Sequence, residues 1–355
     1  MTQETHKVVP SHGSTQPLRI VLAGGSGHVG AVLMRHFIAQ GHAVTVFSRR
    51  SVVPLGKVAL WDGVSLGRWI EDLDSADVLI NLCGRSVNCR FTGTNRREVM
   101  DSRIRPTQIL GEAVRLVKSP PRIWMNASTA TIYRHALDRD MDEVSGELGG
   151  SEPDVPRSWD FSVEVGKRWE ETFFSASTPG TRKIALRSAV VMSPDRGSIF
   201  DVLLRLVRIG LGGTVGDGKQ YVSWIHEADF VHAVDHVIAS EQFSGAVNIS
   251  SPAPIPNAEF MRELRLAWGA RIGLPAPRPI LEIGTFLMRT ESELVLKSRR
   301  VVPRRLLEDG FRFQFTNWAE TAKELVSRWR TGGETNQKQE LWSISQQARI
   351  HERAK

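Results

Sequence analysis

The densest chemical signal in this chain is the run Gly24-Gly25-Ser26-Gly27-His28-Val29-Gly30. Its glycines at 24, 27 and 30 stand between an apolar run (18–23) and a helical pattern in which Leu33, Met34, Phe37 and Ile38 share a face. In that setting the first glycine permits a tight turn, and the second lets backbone N–H groups approach a pyrophosphate. The third lets the helix pack on the strand. The start of the helix also brings a partial positive charge to the phosphates. A dinucleotide site is therefore expected at Gly24, Gly27, His28, Val29 and Gly30. The alternative, an ordinary glycine turn, accounts less well for the strand–loop–helix–strand setting. The following strand candidate (43–47) runs into Ser48-Arg49-Arg50. An NAD site usually has an acid there to hold the ribose hydroxyls; two guanidinium groups suit a 2′-phosphate instead. The expected cofactor is NADP rather than NAD, read by Ser48, Arg49 and Arg50, against the alternative of solvated surface arginines.

Groups that could move a proton are scarcer. The chain has 10 tryptophans but only two tyrosines, Tyr133 and Tyr221. Tyr133 follows a strand candidate (122–128) that ends near Ser128 and Thr129, so it reads as a proton donor or as a buried core tyrosine. His226 carries an imidazole and reads as an acid or base, or as a structural histidine. Thr129 and Ser128 offer hydroxyls that polarise a carbonyl, or that simply cap the strand end. His135, Asp138 and Asp140 lack a metal-ligand spacing, so no metal is expected. Cys83 and Cys89 are separated by five residues and do not form a C-x-x-C redox pair.

These groups need a scaffold, and the pattern supplies one. Further strand candidates are 58–61, 77–82, 183–192 and 246–250, separated by helical stretches at 95–117, 161–174, 200–211, 228–239 and 257–268. Strand–helix alternation means a parallel sheet covered on both faces. The 355 residues allow one to three domains at roughly 150 residues each. The expected division is a leader (1–17), a nucleotide-binding domain (18–250) with an insert near 193–225, a small C-terminal domain (251–330) and a polar tail (331–355). Apolar residues make up 41% and charged residues 24%, which excludes a disordered or fibrous chain. No apolar stretch reaches the roughly 20 residues a bilayer needs. The polar start lacks an apolar export core, and two cysteines are too few for a disulfide framework, so a cytoplasmic location is expected. The net charge of +7 suits an anionic small ligand or a weak polyanion contact. The paired arginines are dispersed without interleaved aromatics, so no nucleic-acid partner is expected.

Taken in order, the motifs resemble the extended short-chain dehydrogenase/reductase superfamily. Asn81-Leu82-Cys83-Gly84 is similar to its strand end beside the cofactor, and Ser128-Thr129-Ala130-Thr131-Ile132-Tyr133 to the strand end carrying the catalytic Ser or Thr. Arg187-Ser188-Ala189-Val190-Val191 and Trp224-Ile225-His226-Glu227-Ala228-Asp229 resemble segments leading to the substrate region. Asp101-Ser102-Arg103, Gly210-Leu211-Gly212-Gly213 and Val302-Pro303-Arg304-Arg305 look like the atypical epimerase-like family that ends in a small C-terminal domain of unknown function. The resemblance implies a Rossmann-type, doubly wound parallel sheet with a small C-terminal substrate lobe. It adds Asp62, Leu82, Cys83 and Gly84 to the cofactor cleft and gives Thr129, with Ser128, the carbonyl-polarising role.

The superfamily's acid is a Tyr followed four residues later by Lys, the lysine lowering the tyrosine's pKa and holding the ribose. This chain has no Y-x-x-x-K. One register puts Phe161 and Val165 in those places, with Lys167 near but out of phase. Two functions follow. The first is an NAD(P)-dependent oxidoreductase or epimerase acting on a small carbonyl or nucleotide-sugar-like substrate, in a pocket lined by Thr129, Tyr133, Arg187 and His226. The second is a non-catalytic NADP-binding protein that reports cofactor state to a partner. Substrate and oligomeric state are not readable from the sequence.

Overall fold

A computed structural model describes residues 16–51, 55–153, 155–276 and 293–332. The expected leader and tail lie almost wholly outside these residues. Seven parallel strands form the central sheet: β1 (Arg19–Ala23), β2 (Ala43–Ser48), β3 (Lys57–Leu60), β4 (Val78–Asn81), β5 (Ile123–Thr129), β6 (Arg182–Ser188) and β10 (Gly245–Ile249), in the order β10-β6-β5-β4-β1-β2-β3. The strand order reverses direction between β1 and β4, which opens a crevice at the carboxyl ends of those two strands.

Both faces of the sheet are buried, and alternation assigns the residues. Ile20 and Leu22 of β1 join Leu33 and Phe37 of α1 (His28–Ala39) and Phe230 and Val234 of α6 (Glu227–Ala239) in one core. Val21 and Ala23 point the other way. They meet Leu110 and Ala113 of α3 (Gly93–Leu116) and Phe173 of α4 (Asp160–Ser175). That is the period-two consequence of a strand buried on both sides. The fold is a Rossmann-like α/β structure.

The run 183–192, expected as one strand, is two. The chain leaves the sheet at Ala189, whose N–H donates to the Ile249 carbonyl at 3.0 Å. It continues as β7 (Val190–Met192), which pairs in parallel with β9 (Trp224–His226), just after the short β8 (Tyr221–Val222). Above this break a second apolar core forms. Met192, α5 (Ile199–Arg208) through Phe200 and Leu204, and Trp224 pack with Phe260 and Leu264 of α7 (Asn257–Trp268). The last helix among the described residues (318–332) closes this core with Trp318 and Trp329. Trp318 stacks on Phe260 with ring centres 4.0 Å apart. Among the described residues no helix is long and apolar enough to cross a membrane.

Candidate functional site

The glycine turn sits at the crevice. Gly24 has φ +73°, where an L side chain is strained, and a Cβ there would lie 2.8 Å from Cys83 Sγ. A Cβ on Gly30 would run into the Gly25 carbonyl, so the helix and turn can approach only with glycine present. Gly27 differs: nothing lies within 4 Å of its Cβ position. It is the N-cap of α1, and no side chain caps that helix. The first-turn N–H groups, Val29 among them, therefore have no side-chain cap and carry the positive end of the helix dipole beside that open space, which fits a pyrophosphate. The His28 side chain turns away from this opening. Its Nδ1 lies 3.9 Å from Asp195 of the 193–198 segment, and burial lowers its pKa. Any phosphate contact from residue 28 falls to its backbone.

Beyond β2 lies a cavity of about 580 Å³ lined by Arg49, Trp61, Asp62, Arg68 and Trp69 among others. Phe47, Trp61 and Trp69 form an aromatic cluster behind it, with ring centres 5.1–5.7 Å apart. Arg49 and Arg50 are exposed. Ser48 is buried, its Oγ accepting from the Arg50 N–H at 3.0 Å, so it shapes the turn. Asp62 accepts from the backbone N–H groups of Val64 and Ser65 at 2.8 and 2.9 Å, and these bonds hold its pKa down. On the other flank, the Leu82 N–H donates to the Ala23 carbonyl and the Cys83 N–H to Asn81 Oδ1. Burial pushes the Cys83 thiol up to about 12, so it stays neutral. The structure thus gathers Gly24, Gly27, Gly30, Cys83 and Gly84 around one crevice, and Arg49 and Asp62 around the adjoining cavity.

Of the expected catalytic residues, Ser128 and Tyr133 are joined through Glu170 and Arg187 in one buried network. Thr129 is half-buried at the crevice end of β5, its Oγ1 accepting from the Thr131 N–H at 3.1 Å. Ser128 points the opposite way and donates to Glu170 Oε1 at 2.6 Å. Tyr133 is only 2% exposed; its hydroxyl donates to Asn248 Oδ1 and accepts from Arg187 Nη1, each at 2.9 Å. Burial raises its pKa, which opposes proton release. Arg187, expected to line the pocket, instead forms a two-pronged ion pair with Glu170 at 2.7 and 2.8 Å. The proton-donor expectation for Tyr133 is therefore corrected to a buried structural tyrosine. The expectation for His226 is corrected likewise. It is 1% exposed, caps α6 by accepting the Ala228 N–H at Nδ1, meets Glu324 through Nε2 at 3.1 Å and stacks on Phe315.

The helix that would carry the missing pair is α4. Phe161 packs edge-on against Phe91 and lies beneath the Arg96 guanidinium. Val165 is buried beside Val99. Lys167 donates to the Gly149 carbonyl at 2.6 Å. The metal-like trio is dispersed: His135 Nδ1 accepts from the Ser298 N–H, while Asp138 pairs with Arg134 and Asp140 with Arg300. Among the described residues no group of three or more His, Cys, Asp or Glu side chains is placed to hold a metal. Sequence reasoning gave no role to Glu170, Asn248, Arg68 or Arg103. The only signal for any of them was the Asp101-Ser102-Arg103 motif.

The strand order, the glycine turn and the crevice are those of nucleotide-binding enzymes, and comparison decides which. The profile described as the NAD dependent epimerase/dehydratase family matches residues 20–250. The chain belongs to that family. A second match, a domain of unknown function (DUF1731), covers residues 276–325. Among relatives of this epimerase-family chain, the epimerase family protein SDR39U1 of Homo sapiens is 30% identical over 315 residues, covering 87% of this chain and all of that one. The epimerase family protein MT2273 of Mycobacterium tuberculosis is 31% identical, with 87% and 98% covered. The crystal structure of human SDR39U1 (isoform 2) with NADPH superposes with a TM-score of 0.76 at 29% identity, covering 87% and 99% of the two chains. The UDP-N-acetylglucosamine 4-epimerase of Bacillus cereus, at 18% identity and a TM-score of 0.66 over 88% and 99%, shares the fold.

Proposed function

We propose that this epimerase-family chain binds NADP(H) and serves as an oxidoreductase or epimerase on a small carbonyl or nucleotide-sugar-like substrate. The carrying observation is the pairing of an uncapped, open helix start at Gly27 with a cavity that presents Arg49 and Arg68. Val29 and its neighbours would hold the pyrophosphate, and Arg49 the 2′-phosphate. The NADPH in the human SDR39U1 structure supports the choice of NADP over NAD. When bound, the nicotinamide supplies hydride transfer. Thr129, at the strand end, would hydrogen-bond the substrate oxygen and polarise it. Tyr133 and His226 are occupied elsewhere, so the proton would come from water or from the substrate's own hydroxyls.

A second reading has its own support. Phe161 and Val165 fill the places of an acid pair with packed hydrocarbon, which suits a protein that holds NADPH without turning it over. Titration of NADPH and NADH into wild type, Arg49→Ala and Arg68→Ala tests the cofactor reading. Losing one charge-assisted phosphate contact should cost roughly 1.5–3 kcal/mol for NADPH and little for NADH. Equal NADPH and NADH affinities in the wild type would sink the NADP assignment. A screen of aldehydes, ketones and nucleotide sugars with NADPH then separates the two readings.

A further inference from the structure

The guanidinium of Arg103 is the unexplained charge in the crevice. Helix α3 runs back from the carboxyl end of β4 toward its amino end. Thr107, on the face of α3 toward the sheet, accepts from Asn81 Nδ2 and Trp169 Nε1, each at 3.0 Å. Arg103 sits one turn nearer the crevice, between Val99 and Thr107. Its Nη1 donates to the Val99 carbonyl at 3.0 Å and to Ser102 Oγ at 3.4 Å. Its plane rests over the Trp169 ring, 5.2 Å from the centroid.

Among the described residues no carboxylate pairs with Arg103, and Nε and Nη2 have no hydrogen-bond acceptor. Gly84 lies over the other face of the guanidinium, where a Cβ would stand 3.1 Å from Cζ, 3.2 Å from Nη2 and 3.4 Å from Nε. A glycine there makes room for the guanidinium between the strand end and Trp169. The Nε and Nη2 edge between them keeps two donors that suit the two oxygens of a carboxylate or phosphate. Burial lowers its pKa only to about 10, so it is charged at neutral pH.

The position separates two sources of that anion. The glycine turn backs onto Cys83 through Gly24, whereas Arg103 backs onto Gly84 from the α3–α4 side. The strand end Cys83-Gly84 therefore stands between the expected pyrophosphate and this guanidinium. On the far side lie Val165 and Trp169 of α4, the helix whose lysine would have supplied positive charge. We infer that Arg103 is a specificity residue that docks a carboxylate or phosphate group of the substrate, on the opposite side of Cys83-Gly84 from the cofactor's phosphates. This inference rests on the cofactor reading above and narrows its substrate class to anionic carbonyl compounds.

The test is calorimetric titration of malonate and of inorganic phosphate into NADPH-loaded protein, against chloride at matched ionic strength. Wild type, Arg103→Gln, Arg103→Lys and the surface control Arg85→Gln would be compared, with each fold checked by urea unfolding. We expect at least one anion to bind wild type and Arg85→Gln alike. Arg103→Gln should bind it about ten- to a hundredfold more weakly, with NADPH affinity unchanged. Arg103→Lys should retain part of the affinity, because a point charge replaces a two-pronged donor. If Arg103→Gln fails to fold, the lysine variant decides, and undiminished anion affinity there overturns the proposal. No anion binding above chloride in wild type also overturns it. So does an equal loss of NADPH affinity in Arg103→Gln, which would give the guanidinium to the cofactor's pyrophosphate. If wild type binds no NADPH, the cofactor reading fails separately, and the same anion titrations on the free protein still judge Arg103.

Discussion

At the scale of single residues, the cofactor turn and the proton chemistry part company. Gly27 is the position where the structure leaves room for a ligand rather than for packing. Gly27→Val should abolish NADPH binding while the circular dichroism spectrum stays that of the wild type; unchanged affinity in a folded variant would remove the phosphates from this turn. Tyr133 should behave in the opposite way. Tyr133→Phe leaves Arg187 Nη1 and Asn248 Oδ1 each short of a partner in the interior. It should lower stability by roughly 1–3 kcal/mol in urea unfolding, with cofactor affinity retained. The glycine turn was legible because its constraint is local: backbone shape, then helix, within a few residues. The roles of Tyr133 and His226 were not, because their partners Asn248 and Glu324 lie 115 and 98 residues away in sequence. A tyrosine or histidine in isolation has the same composition whether it faces a substrate or a core.

At the scale of elements, the strands of the central sheet were legible to within a residue or two, except at the end of β6, while the short strand β9 was not read as a strand. Val190-Val191-Met192 follows β6 without a glycine or proline, so no turn residue marks the break at Ala189. The break depends on β10 and β9, which arrive later in the chain. Helix α4 shows a similar dependence. Its apolar face was readable, but Glu170 lies on the buried side only because β6 delivers Arg187 to it. Glu170→Ala would strand that guanidinium without its carboxylate and remove the acceptor of Ser128. Breaking a buried pair in this way costs about 3–5 kcal/mol. Thermal unfolding should show a large fall in Tm for Glu170→Ala and a much smaller one for exposed Glu164→Ala. Equal shifts would mean that the pair contributes no more than a surface contact.

At the scale of the whole molecule, the segment after residue 293 is stitched to the sheet through polar groups. Asn248 Nδ2 donates to the Val302 carbonyl, and the Ser223 hydroxyl to that of Arg299. Lys297, 2% exposed, donates to the Thr131 carbonyl at 3.0 Å with Glu293 4.0 Å away. Burial lowers its pKa from 10.5 to about 8. Below pH 8 folded and unfolded chains both hold that proton, and the folded state bears the full cost of a buried charge. Between about 8 and 10.5 only the unfolded chain keeps it, so this group's contribution makes stability rise with pH. The stability of wild type relative to Lys297→Met should therefore rise between pH 7 and pH 10. Urea unfolding at pH 7, 8.5 and 10 checks this, and a constant gap would contradict it. The final helix has a consequence for how the chain is made. Asp201, fully buried, takes a hydrogen bond from Trp329 Nε1 at 2.8 Å, 128 residues downstream. On the ribosome the sheet can close once β10 has emerged, but the second core cannot. At about 5–20 residues per second, the last helix follows several seconds later. During that interval Phe200, Trp224 and Phe260 lack their cover, so the nascent chain passes through a stage with a finished nucleotide fold and a sticky, half-built lobe.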